Sequence, residues 1–466
     1  TSNNAGSAYV QAADFHGTWS SRLAFLLAAV GAAVGLGNMW KFPYTAGVSG
    51  GGAFVLIYLI AVIVVAVPIM MAELAIGRRG RRSPVNSMRR VAAADGASSA
   101  WKNVGWVNVC AGFLILTFYS VIAGWALAYI PKLASGTFTQ STADLVGSEF
   151  SDLLASPLTL IFWHALFMGL TVFIVARGIQ DGIEKAVKFL MPSLFGMLLV
   201  LVVYACIAGD FAATVDFMFT FDFSKIDVHV VVAAIGQAFF SVSVAMGLLM
   251  TYGAYLPETV VIPRAAIIIA IADTMVALLA GFAIFPVVFA NGLDPAEGPG
   301  LVFVTLPLAF GQMPFGTLFG TLFFVLLTFA ALTSSIAVFE PIVSWAEEHQ
   351  GVKRQSSALV FGALAFLIGL LTVFSFNIWS NVHPLGGFEM FAGKTIFDVI
   401  DYVASNILLP AGGILIALFA GYAMARKTSV EELGIGDGPA YAIWRFLVRF
   451  VSPIAIAIVL VTLVGG

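Results

Sequence analysis

The chain has 466 residues, of which 60% are hydrophobic and 10% charged, and its mean hydropathy is +1.00. Values this far outside the soluble range exclude a water-soluble globular protein and define a polytopic membrane protein. The formal net charge of −3 gives no sign of a nucleic-acid partner.

Apolar runs of about 20 residues are long enough to cross a bilayer as helices. Eleven occur, at 20–44, 53–77, 104–131, 156–176, 186–208, 229–255, 264–290, 313–346, 356–376, 397–424 and 441–463. They predict an all-α fold of 11 transmembrane helices with no soluble domain. The first is too long, and carries too polar a break, to be a signal peptide. Both cysteines, Cys110 and Cys206, fall inside predicted helices, so neither a disulfide framework nor a thiolate metal site is implied. Arg78, Arg79, Arg81, Arg82, Arg89, Arg90 and Lys102 crowd the second connection, whereas the third carries Asp144, Glu149 and Asp152 and the fifth Asp210, Asp216, Asp222 and Asp227. The positive-inside rule then places the N-terminus in the cytoplasm and, after eleven spans, the C-terminus outside. The absence of an Asn-x-Ser/Thr acceptor and the short third connection point to a bacterial inner membrane.

Residues 1–18 are polar and form a cytoplasmic N-terminal segment; Trp19 and Arg22 sit where an interfacial anchor belongs. Helix 1 is badly built for a plain membrane anchor. Gly31, Gly35 and Gly37 lower its helix propensity, and Asn38, Lys41 and Pro43 follow within the same span. In hydrocarbon each freed backbone group costs roughly several kcal/mol, so a break here must face a protein-lined cavity. The glycines alone would suit a kinked packing helix; with Asn38 and Lys41 they point to an ion or solute site. Gly50-Gly-Gly-Ala-Phe54 turns the chain into helix 2, whose lone acid, Glu73, is expected to hydrogen-bond broken backbone nearby. Asp181-Gly-Ile-Glu-Lys185, Lys188 and Met191-Pro192 read as a charged cytoplasmic hinge between helices 4 and 5.

Helix 6 repeats the anomaly of helix 1. Gln237, Ser241 and Ser243 lie between Gly236 and Gly247 at mid-span. Serines in a membrane helix often bond their own backbone, and here their position carries the argument. Helices 1–5 (19–208) and 6–10 (229–424) would each open with an interrupted helix, the arrangement of inverted repeats that hold substrate and ions at the bilayer midplane. Residues 425–466 supply helix 11 and the C-terminus, with no helix 12. Asp273 in helix 7 is a buried acid that favours a cation partner. Thr333, Ser334 and Ser335 in helix 8 could merely satisfy backbone, and Asp398 and Asp401 could be ordinary charges at the start of helix 10. A hard cation such as sodium wants several oxygens, and unwound helices offer the carbonyls that intact helices consume.

Ala32-Ala-Val-Gly-Leu-Gly-Asn-Met-Trp-Lys-Phe-Pro43 resembles the helix 1 signature of the neurotransmitter:sodium symporters, and Gly182-Ile-Glu-Lys-x-x-Lys-x-x-Met-Pro192 is similar to a second signature of that family. The resemblance runs through helices 1–10 and suits a bacterial amino-acid member. It implies two sodium sites: a first from the Ala33 carbonyl, Asn38, Ser241 and Asp273, completed by the substrate carboxylate, and a second from the carbonyls of Gly31, Val34 and Ala330 with Thr333 and Ser334. It implies that Tyr119 holds the substrate carboxylate beside the helix 1 break at Ala33, Gly35 and Gly37. A pocket of Ile115, Phe240, Ser241, Ser243, Met246, Ser334 and Val338 would surround the side chain, with Phe240 as the lid. Lys41 and Asp401, with Gln237, match the extracellular gate. On the cytoplasmic side Trp19 and Glu348 match the gate, His16 stands where the family has arginine, and Arg22 is a further candidate.

Three departures refine the expectation. Gly35 replaces the aspartate of monoamine members, so the substrate should keep its α-carboxylate. Met246, an adaptable side chain, suggests a neutral hydrophobic amino acid that could be bulky or aromatic. Asp273 stands where many members carry asparagine, with Ala277 one turn on, and a fixed carboxylate there could replace chloride. Proton coupling through Asp273 or Glu73, and a non-transporting amino-acid sensor of the same fold, are the alternatives. A channel fits poorly with occluded pockets, and an enzyme has no His-Glu-x-x-His motif to support it.

Overall fold

A computed structural model of the chain describes residues 16–298 and 300–465; most of the predicted N-terminal segment, 1–15, lies outside them. Among the described residues every regular element is helical. Helix 1 is split into 1a, Arg22–Ala33, and 1b, Gly37–Val48, whose axes differ by 46°. Ser21 caps 1a by accepting from the Ala24 N–H at 3.1 Å. The helix stops at Val34, which takes an extended conformation. Gly50 and Gly51, at φ +83° and +64°, then turn the chain, and a Cβ on Gly51 would collide with the Phe217 carbonyl.

Helices 2 (Gly52–Gly80), 3 (Ser99–Ala134), 4 (Pro157–Ala176), 5 (Ile179–Ala208), 7 (Ile262–Ala290), 8 (Gly316–His349), 9 (Arg354–Ser375), 10 (Ile396–Ala423) and 11 (Pro439–Val464) follow. Among the described residues these nine are long and apolar enough to cross a membrane, and the bent pair makes ten. The predicted span 229–255 is two short pieces, 6a (Val228–Ser241) and 6b (Leu248–Ala254). Between them Ser243, Ala245 and Gly247 have φ of 58°, 62° and 79°. Two non-glycine residues in that region oppose any continuous right-handed helix.

Burial orders the helices. The apolar stretches of helices 3 and 8 are 78% and 83% buried, those of helices 4, 5 and 11 only 33%, 33% and 28%. Helices 3 and 8 therefore belong to the centre with the two broken helices, and the outer helices present side chains such as Leu158 and Ile207 to lipid. Helix 2 lies tightly along 6b, where Gly77 faces the Met250 carbonyl and Gly253 faces Leu74; any side chain at either position would force the backbones apart.

Five helices in the connections were not anticipated: Pro84–Ala94, Ala143–Ala155, Phe211–Phe219, Leu301–Gln312 and Arg426–Leu433. They are too short to span, so a search for apolar runs of about 20 residues passes over them. Two act as braces. Tyr129 of helix 3 donates to the Phe303 carbonyl at 2.8 Å, and Arg78 at the end of helix 2 binds Glu432 at 2.8 Å and the Val260 carbonyl at 2.6 Å.

Candidate functional site

The break in helix 1 leaves backbone groups that neighbouring helices satisfy. Asn38 accepts from the Gly35 N–H at 3.1 Å, and the Tyr119 hydroxyl of helix 3 accepts from the Leu36 N–H at 3.2 Å. On the carbonyl side, Ser334 of helix 8 donates towards Val34 O at 3.1 Å, with Ala32 O at 3.2 Å and Gly31 O at 3.4 Å. Ser243 from the helix 6 break reaches Ala32 O at 3.2 Å, and Gln237 donates to Gly37 O at 2.8 Å. The two breaks thus face each other. The helix 6 break is held from behind by Glu73, whose Oε1 accepts from the Ala245 N–H at 2.5 Å; this is the role expected of that acid.

Two clusters of polar groups form around these breaks. In one, Asn38 Nδ2 donates to Asp273 Oδ1 at 2.8 Å, while Ser241 Oγ donates to Asp273 Oδ2 at 2.7 Å and lies 3.0 Å from Asn38 Nδ2. All three side chains are fully buried. In the other, Ser334 lies against the Gly31 and Val34 carbonyls, and Thr333 donates to Ala330 O at 3.0 Å. Among the described residues no group of three His, Cys, Asp or Glu side chains could hold a metal. The chemistry on offer is therefore that of one carboxylate with amide, hydroxyl and carbonyl oxygens, which suits an alkali cation better than a transition metal.

Between the clusters lies a cavity of about 20 Å³ lined by Ala33, Gly35, Gly37, Ile115, Leu116, Tyr119, Phe240, Ser243, Met246, Ser334, Ser335 and Val338. A Cβ at Gly35 would overlap Ser334 and sit 2.8 Å from the Tyr119 hydroxyl, so glycine keeps this space open. No lining side chain is charged. Phe240 also lines a second cavity of about 200 Å³ on its other side, bounded by Lys41, Gln237, Ser405, Asn406 and Leu463. Phe240 is thus the partition between the two.

Of the pocket residues expected from sequence, all but Ser241 line the inner cavity; Ser241 points into the Asn38–Asp273 cluster instead. Leu116 and Tyr58 were not anticipated, and Ser335, expected only as a backbone-satisfying hydroxyl, also lines the cavity while donating to the Leu332 carbonyl. Tyr58 places its hydroxyl 3.3 Å from Ser241, and a polar-tipped side chain at mid-span of helix 2 was the available signal. Lys41 and Asp401 form no ion pair: the Lys41 ammonium stands 4.2 Å from the centroid of the Phe240 ring, and Asp401 accepts from Ser405 at 2.7 Å. At the opposite end His16 Nε2 is 2.8 Å from Glu348 Oε1, whereas Arg22 is exposed and makes no ion pair among the described residues. Trp19, expected at a lipid interface, is 2% exposed and packs edge-on against Tyr252. Its indole donates to the Tyr252 carbonyl, so a protein partner replaces the headgroup region.

Broken helices that turn their ends on a central cavity, flanked by clusters of buried polar groups, are the architecture of a secondary transporter rather than of a channel or a membrane anchor. The chain belongs to the sodium:neurotransmitter symporter family, whose model matches residues 16–143 and 146–465. It is 39% identical over 450 residues to the uncharacterised sodium-dependent transporter YhdH of Bacillus subtilis, covering 96% of this chain and 97% of that one. It is 25% identical over 466 residues to the sodium- and chloride-dependent taurine transporter of Bos taurus, covering 87% and 70%. The crystal structure of MhsT in complex with L-phenylalanine superposes with a TM-score of 0.87 at 41% identity, covering 96% of this chain and 99% of that one. This protein is a sodium-dependent multi-pass membrane transporter; its relatives are transporters, and no catalytic family is indicated.

Proposed function

We propose that the chain couples the inward movement of sodium at two sites to uptake of a neutral, hydrophobic amino acid, and that it needs no chloride. The observation carrying this reading is the inner cavity. Its lining sets the hydroxyls of Tyr119, Ser243 and Ser334 beside the apolar side chains of Ile115, Met246 and Val338, and the Tyr119 oxygen, which accepts from the Leu36 N–H at 3.2 Å, keeps its own proton to donate. A carboxylate suits the hydroxyls and an apolar side chain the apolar lining, while the absence of charged lining disfavours acidic and basic substrates. The phenylalanine complex of MhsT supports the same class. Asn38, Ser241, Asp273 and the Ala33 carbonyl would hold one sodium next to the substrate, and Gly31, Val34, Ala330, Thr333 and Ser334 the other. Asp273 supplies a fixed negative charge, which removes the need for a mobile anion.

An amino acid needs far more room than about 20 Å³, which suits about one water molecule. Phe240 and the broken helices must therefore part to admit it and close behind it. Taking 6a and 6b as one interrupted span gives eleven, with 19–208 and 229–424 as the two repeats that rock against each other, the N-terminus in the cytoplasm of a bacterial cell and the C-terminus outside. Each sodium moving through a potential of about 100 mV contributes about 2.3 kcal/mol to uphill uptake.

The deciding experiment is competition among the common amino acids for uptake into proteoliposomes, with external sodium present or replaced by potassium, and with chloride or gluconate as the anion. Sodium-dependent uptake displaced by hydrophobic amino acids and unchanged in gluconate is expected. Uptake that follows a pH gradient without sodium, or that needs chloride, would overturn the corresponding part of the reading.

A further inference from the structure

The stretch 16–21, which leads into helix 1a, is fastened at the inner mouth of the protein. Trp19 donates from its backbone to the Tyr255 carbonyl at 3.1 Å and from its indole to the Tyr252 carbonyl at 3.1 Å, which ties the stretch to the end of 6b. Ser20 donates from both its N–H and its hydroxyl to Glu184 at the head of helix 5. The third tie is His16. Its Nε2 is 2.8 Å from Glu348 Oε1, its Nδ1 is 3.7 Å from Glu347 Oε2, and its ring centroid is 5.6 Å from that of Tyr255. Glu348 in turn accepts from Ser83 N at 2.7 Å, Ser83 Oγ at 2.5 Å and Asn86 Nδ2 at 2.5 Å. This one carboxylate therefore joins the stretch before helix 1 to the end of helix 8 and to the connection after helix 2.

Acids and arginines both stand around His16. Glu340, Glu347 and Glu348 come from helix 8. Arg354, at the start of helix 9, is the cation bonded to Glu340 and Glu347, and Glu340 also accepts from Tyr255 at 2.7 Å. Arg90, from the helix Pro84–Ala94, lies within electrostatic reach of Glu348, Arg82 and Arg89 without a hydrogen bond to Glu348. Among the described residues the groups hydrogen-bonded to the Glu348 carboxylate are His16, Ser83 and Asn86, and of these only the imidazole can carry charge.

Resting on the transport reading above, we propose that His16 is a proton-operated latch on the inner gate: a cytoplasmic proton on its imidazole clamps residues 16–21 onto Glu347 and Glu348, and loss of that proton frees them to let the inner pathway open. Histidine is the side chain whose charge changes between pH 5 and 8. Protonated, the ring donates from both nitrogens, and the carboxylate facing each nitrogen gains a charge-assisted interaction. Neutral, it donates from one nitrogen and turns a lone pair towards the other acid. An arginine here would stay charged throughout and could not report pH. The sign follows: acidification of the cytoplasm holds the gate shut and throttles the inflow of sodium and solute, and alkalinisation releases it.

The test is hydrogen–deuterium exchange of peptides covering residues 17–33 of the full chain in lipid nanodiscs, at pH 6 and pH 8, with His16→Arg and His16→Gln measured alongside at each pH to cancel the intrinsic pH dependence. Wild type should match His16→Arg at pH 6. At pH 8 it should exchange roughly tenfold faster than His16→Arg, the loss of one charge-assisted bond, and match His16→Gln. Should His16→Arg fail to fold, the comparison with His16→Gln alone decides, with protection of wild type confined to pH 6. A ratio of wild type to either variant that is the same at both pH values overturns the latch. Because exchange needs no substrate, this outcome is independent of the competition experiment. In parallel, sodium-driven uptake should rise with internal pH in wild type and be flat in His16→Arg.

Discussion

Asp273 is the one side chain on which the proposed ion chemistry turns. It is fully buried in helix 7, and both its oxygens accept hydrogen bonds, from Asn38 and from Ser241. A buried carboxylate with only neutral donors around it is costly unless a cation shares the site, and sodium would relieve that cost. Asp273→Ala is expected to abolish sodium-dependent uptake while the protein still elutes as a folded species in detergent; uptake at the wild-type level would refute the ligand role. Gly35→Ala tests the cavity at the same scale. Its Cβ would overlap Ser334 and press on Tyr119, so substrate binding should fall by at least about tenfold in a binding assay while expression persists. Unchanged affinity would mean that the substrate does not lie against the helix 1 break.

The element that needs most support is helix 6. Its break runs through Ser243 and Ala245 in left-handed conformations, each of which costs about 1–2 kcal/mol for a residue with a side chain. Glu73 of helix 2 offsets part of this by accepting from the Ala245 N–H, and Gly77 and Gly253 let helix 2 come close enough for it to do so. Removing that acceptor in Glu73→Ala leaves a buried N–H unpaired, a loss of about 1–3 kcal/mol that should appear as a lowered melting temperature together with lowered uptake. Glu73→Gln keeps an acceptor oxygen of similar reach and should retain most of both. Equal stability of Glu73→Ala and wild type would mean that the break is held by other contacts.

Across the whole molecule, the proposed sodium ions would sit between helices 1, 6, 7 and 8 and cross-link elements from both proposed repeats. Binding of that kind would exist only in the folded state and would add to stability by mass action: about 2.7 kcal/mol at a hundred times the dissociation constant. Thermal unfolding in sodium chloride should therefore exceed that in potassium chloride at the same ionic strength, and a hydrophobic amino acid should raise it further only when sodium is present. Identical melting in the two salts would remove the ion sites from the reading.

What the sequence determined by itself was local. The length and apolarity of its runs set nearly every span, because a helix must satisfy its own backbone to cross lipid. The glycines and polar residues of 31–43 and 236–247 marked both breaks, because they weaken helix where they stand. What only the tertiary structure decided was which of these groups meet. That Lys41 lies over Phe240 and not on Asp401, that Trp19 is buried against Tyr252 instead of anchoring in the headgroups, and that His16 and not Arg22 reaches Glu348 are contacts between residues far apart in the chain. Hydrophobicity gives no register to such pairs; they are selected by how the helices pack once lipid, which is as apolar as the side chains it touches, has ceased to discriminate between one face and another.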